Sequence, residues 1–169
     1  MLTWLDVLAL FTAAAATAVG VKKGSAFLLV FPLALGLFAL ALGQLPPVAW
    51  PAAALVAGLF VAQVAGRIDL YLGSSWEAFL GGVAGFLWGA LLAVTLWTGL
   101  PAEYSLATGA YRYPSPRLPL VVQEAVAKSP FALPLFDLIQ REPLLRRLIL
   151  EAPPAERPTP AVEAETLPR

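Results

Sequence analysis

The amino-acid sequence predicts an all-α membrane protein, with four transmembrane helices and a C-terminal amphipathic helical tail. Three observations predict it. Hydrophobic residues make up 59% of the 169 residues and charged residues only 13%, so a water-soluble domain of this size would have too little polar surface to cover itself. Most of the charges lie after residue 100. Four uncharged or nearly uncharged windows before that point approach the roughly 20 residues that an α-helix needs to cross about 30 Å of hydrocarbon.

The windows are residues 2–21, 25–42, 48–65 and 78–97, which together make a transmembrane domain over residues 1–98. The first opens "TWLD", where Thr3 can cap a helix and Asp6 can close a capping box. This places Asp6 at the membrane interface. The window is expected to be retained rather than cleaved, because a signal peptide carries its positive charge before the apolar run and here Lys22 and Lys23 follow it. The breaks between windows are "GVKKGS", "GQLPPVAWP" and "GRIDLYLGSSWE". Such short links make neighbouring helices antiparallel. Trp4, Trp50, Trp76 and Trp97 fall near the window ends and read as an aromatic belt, whereas Trp88 lies deep in the fourth span. Lys22, Lys23 and Arg67 occupy the first and third links, which the positive-inside rule assigns to the cytoplasm.

Residues 99–151 read as a partly helical amphipathic tail. In "LPLFDLIQREPLLRRLIL", Leu135, Leu138, Leu145 and Ile149 belong to one apolar stripe, expected to dock through apolar contacts. Pro143 should break or kink it. The Pro/Glu-rich end, residues 152–169, lacks the apolar residues to order itself.

The fourth span carries a ladder, Gly81, Gly85, Gly89 and Ala93, at four-residue spacing. Glycine is a poor helix former in water. In lipid no hydrophobic force drives helices together, and small residues let backbones approach closely. The third span has Gly58 and Ala62 in a similar row, and the first has Gly20. These rows are expected to be packing seams.

The chemistry is sparse. The chain has no cysteine and no histidine, so thiol nucleophiles, thiolate metal sites and the commonest general base are excluded. No serine in the spans has a base within helical reach, and no carboxylate pair lies mid-membrane. The sequence is therefore expected to be no enzyme and to need no cofactor or metal. Zero formal net charge gives no reason to expect nucleic acid. The expected partners are the lipid bilayer and a second copy or another membrane protein. Gln63 is expected to make an interhelical hydrogen bond.

With these elements in place, the chain resembles the colicin V production (CvpA) family of inner-membrane proteins. Trp4, Leu5 and Asp6 match that family's opening aromatic–aliphatic–acidic run. Gly20, Lys22, Lys23 and Gly24 match its first connection. Glu77 and Gly81, followed by Gly85 and Gly89, are similar to its fourth helix. Ala78 stands where an arginine is usual, and Trp88 where the family often has another. The resemblance implies a multi-pass protein of the bacterial inner membrane that acts in toxin production or export, or in envelope physiology. The alternative reading is a component of an oligomeric channel or small-solute transporter.

Overall fold

A computed structural model describes residues 1–68, 74–105 and 110–142. Among these, four helices are long and apolar enough to cross a membrane. They are α1 (Trp4–Lys23), α2 (Ser25–Leu42), α3 (Trp50–Ala65), preceded by a 3-10 turn at Pro47–Ala49, and α4 (Ser74–Thr98). A two-stranded antiparallel hairpin follows, β1 (Glu103–Ser105) on β2 (Ala110–Arg112), with Tyr104 opposite Tyr111. Two short helices, α5 (Leu120–Lys128) and α6 (Ala132–Arg141), complete the described chain. The architecture is that of an all-α membrane protein with a helical tail. Neither the hairpin nor α5 was marked by apolar periodicity.

Local chemistry explains the ends of the spans. Thr3 and Asp6 form a complete capping box at the start of α1, which occupies amides that lack an intrahelical partner. Gly24 alone joins α1 to α2, at φ +66°. That conformation costs an L-residue strain and glycine almost none. Pro47 and Pro51 lie in the first turns of their helices, where a missing amide is harmless. Pro32 is carried inside α2, as membrane helices allow. The hydroxyls of Thr12, Thr17, Thr95 and Thr98 all donate to carbonyls three or four residues back on their own helix. No polar side chain is needed from a neighbouring helix to satisfy them.

Helix α4 is the central element and packs on α1, α2 and α3. Two apolar cores result. The larger lies among α2, α3 and α4 around Trp88, with Phe31 and Phe38 edge-on to its ring. The smaller joins Leu5 and Ala9 of α1 to Ala93 and Trp97 of α4 and to Ala125, Val126 and Ala132 of the tail. The tail is thus part of the fold, seated where α1 begins and α4 ends.

Its docking face differs from the expected stripe. Ala132, Phe136 and Ile139 are buried, and Leu135 is partly buried against the smaller core. Leu138 is instead 50% exposed. Positions 132, 136 and 139 share one side of a 3.6-residue helix, and 138 lies off it. Leu145 and Ile149 lie outside the described residues, as does the end from 152 to 169. The helix stops at Arg141, with Glu142 extended immediately before Pro143, the boundary that a following proline favours. Phe136→Asp should therefore release the tail to protease between residues 99 and 131, whereas Leu138→Asp should leave the wild-type digestion pattern. Equal digestion of the two variants would show that this face is not the docked one.

Candidate functional site

The α1–α4 seam is built from absent side chains. A Cβ added to Gly85 would lie 2.6 Å from the Ala16 carbonyl oxygen and 3.0 Å from the Cα atoms of Gly20 and Thr17. One at Gly89 would lie 2.6 Å from the Ala13 oxygen, and one at Gly81 2.6 Å from the Gly24 oxygen. One at Gly20 would lie 2.8 Å from the Gly85 Cα. The two helices meet backbone to backbone, antiparallel, with Ala93 continuing the seam into the smaller core. On α3, Ala62 is buried in the larger core. A Cβ at Gly58 would run into Trp88 Nε1, so Gly58 seats an indole rather than another backbone.

At one end of this seam sits Asp6, with no exposed surface. Its Oδ2 accepts hydrogen bonds from the Thr3 amide and Thr3 Oγ1, both at 2.8 Å. Its Oδ1 accepts from Trp97 Nε1 at 3.1 Å and from Ser129 Oγ at 2.5 Å. Asp6 is therefore not an interfacial residue open to water. The capping box that fixes it in α1 also points it at the end of α4 and at the turn between α5 and α6. Ser129 Oγ in turn accepts from the amides of Phe131 and Ala132, which have no partner within the first turn of α6. A carboxylate offers about four acceptor positions, and four donors fill them.

Trp97 is the second member of this hub. Its ring lies 5.0 Å from that of Phe131, and its carbonyl, one of the unpaired set at the end of α4, accepts from Tyr113 Oη. The Tyr113 ring stacks on Phe136 at 4.2 Å. Burial pushes the Tyr113 phenol above its ordinary value, so it remains a donor. Ser129, Trp97 and Tyr113 were not singled out from sequence as partners of Asp6. The Ser-Pro pair at 129–130 is a turn signal that could have placed Ser129 at the start of α6.

The opposite end of the bundle holds Lys22, Lys23 and Glu77. Lys22 is exposed, Lys23 Nζ lies over Gly66 at the end of α3, and Glu77 flanks Gly24. A lysine there complements the negative end of the α3 dipole. Two tryptophans depart from the expected belt. Trp4 and Trp76 are exposed, but Trp50 is only 3% and Trp97 7% exposed. Trp50 Nε1 donates to the Leu45 carbonyl at 3.0 Å, and each buried ring fills space under a loop or the tail. Gln63 is exposed and makes no interhelical hydrogen bond among the described residues.

Compared with family models, curated proteins and solved structures, the chain matches none. The geometry itself therefore carries the functional argument. Among the described residues the one fully buried acid is saturated by structural donors, and the smallest residues are used to close a helix pair.

Proposed function

We propose that this is a non-enzymatic, multi-pass protein of the bacterial inner membrane that works as a scaffold in toxin (colicin V) production or export, or in envelope physiology. The supporting observation is the use made of Asp6. All four of its acceptor positions are taken by Thr3, Trp97 and Ser129. That leaves it none for a substrate, and joins the bundle to its tail. A bundle with tail helices α5 and α6 packed on one end fits a protein that acts by contact. Trp4, Asp6, Lys22, Lys23, Gly24, Glu77 and the glycines of α4 also support the resemblance to the colicin V production family.

Flux measurement separates the scaffold from the oligomeric channel or transporter component. Purified protein in liposomes should leave ion and small-solute flux at the level of protein-free vesicles. A flux that rises with protein content would replace the scaffold with the transport reading.

Orientation is tested separately. Positive-inside bias places the Lys22–Lys23–Arg67 end in the cytoplasm and the tail outside. The chain has no native cysteine, so single substitutions report cleanly. A membrane-impermeant thiol reagent on spheroplasts should label Val48→Cys and not Lys22→Cys. The reverse pattern would invert the topology.

A further inference from the structure

The spans set the depth at which the tail is held. Lys22 lies in the last turn of α1 and Glu77 in the first turn of α4, and charged groups stay near the edge of the hydrocarbon. From Lys22 to Asp6 a helix rises about 24 Å, and from Glu77 to Trp97 about 30 Å, against a hydrocarbon core about 30 Å thick. Asp6 and Trp97, joined by a hydrogen bond, therefore lie at the far edge of that core or just inside it. Ser129 donates to the same carboxylate at 2.5 Å. The turn between α5 and α6 is thus held at the hydrocarbon edge, not above the headgroups.

Both tail helices carry more apolar surface than the bundle covers. On α6, Phe131, Leu135 and Leu138 recur at i, i+4 and i+7, a flank beside the buried Ala132, Phe136 and Ile139. Phe131 and Leu138 are exposed, and Leu135 is only partly buried. On α5, Val121 lies one turn before the buried Ala125, on the same side, and is 69% exposed. These side chains continue the docked faces past the rim of the bundle. At the same end of α1, Trp4 and Val7 are exposed and belong to the lipid-facing surface of the spans.

We propose that α5 and α6 are an interfacial anchor. They lie along the headgroup–acyl boundary of the leaflet at this end of the bundle, with Val121, Phe131 and Leu138 entering its acyl side, as the apolar face of an amphipathic helix does. The partner is the bilayer itself, and the attraction is apolar. Residues 99–142 hold four basic and four acidic side chains, and Arg117–Glu103 and Lys128–Glu124 are paired with each other. Anionic headgroups therefore add little to it.

The test uses the full chain in phosphatidylcholine vesicles, with one nitroxide label at a time on a chain that has no native cysteine. Val121→Cys and Leu138→Cys are the test positions. Val7→Cys is the lipid-facing reference, and Arg117→Cys, at a side chain 86% exposed, is the aqueous one. Collisions of the label with oxygen, which concentrates among acyl chains, are compared with collisions with a polar nickel chelate, which stays in water. The oxygen-to-nickel ratio at 121 and 138 should approach that at 7 and exceed that at 117 by about threefold or more, because a polar complex partitions poorly into the acyl region. Adding phosphatidylglycerol should leave both ratios unchanged. Either position reports alone if the other variant fails to fold. An aqueous ratio at a folded test position would place its helix in water. Few collisions with either reagent would mean that a second copy or another protein covers the flank. A high ratio that appears only with phosphatidylglycerol would make the attraction electrostatic. Each of these three results overturns the proposal.

Discussion

Gly85→Leu is expected to destabilise the bundle by about 3 kcal/mol or more, a fall in detergent Tm on the order of 10 °C. The reason lies in what surrounds the position. The first added atom already lies 2.6 Å from the Ala16 carbonyl oxygen and 3.0 Å from two Cα atoms. All three are backbone and cannot rotate aside, so α1 has to move away from α4. Separation at one rung weakens contacts at the next, since dispersion falls steeply with a gap of even 0.5–1 Å. The control is Gly36→Ala in α2. A Cβ there meets nothing within 4 Å, and helix propensity favours alanine by up to about 1 kcal/mol, so its Tm should be unchanged or higher. Leu92→Ala should cost less than Gly85→Leu, because lipid is as apolar as the site that leucine leaves. Thermal melting of the three variants side by side checks the order. A Gly85→Leu Tm equal to wild type would mean that the ladder faces lipid rather than α1.

Asp6→Ala should have the second large effect, about 3 kcal/mol or more, concentrated on the tail. Hydrogen bonds to a charged group contribute roughly 1.5–3 kcal/mol each, and removing one partner leaves buried donors unsatisfied. The alanine variant strands Trp97 Nε1 and the Thr3 amide, neither of which can turn to become an acceptor. It also leaves Ser129 Oγ without the oxygen that positions it over the first amides of α6. Asp6→Asn should lie between wild type and Asp6→Ala. Its single carbonyl can face either the Trp97 side or the Thr3 side, and its NH₂ then confronts an N–H on the other. The expected readout is faster hydrogen exchange at Phe131 and Ala132 in the order wild type, Asp6→Asn, Asp6→Ala, with chymotryptic cleavage after Tyr104 rising in parallel. A loss of bundle stability with unchanged exchange at Phe131 and Ala132 would make Asp6 a helix cap only, with no part in holding the tail.

Much of this architecture was readable from the residues in order. Length and hydropathy determined the four spans, and residues 25–42 coincide with α2 to the residue. The Thr3–Asp6 capping box is a local arrangement, so four residues of sequence contain it. The glycine ladder was legible because in lipid a small residue at fixed spacing has few uses other than close helix contact. Which face of each helix turns inward was not legible. In water an amphipathic stripe answers that question, but in a bilayer both faces are apolar and the periodicity carries little contrast. Hence Trp50 and Trp97, read as interfacial, are buried, and Gly58 proves to seat Trp88. Only the tertiary structure brought Ser129 to Asp6 across 123 residues, and only it decided that the tail docks through Phe136 and Ile139 rather than Leu138. A short segment with several apolar residues can present more than one side. The surface that it meets, here the shared end of α1 and α4, selects among them.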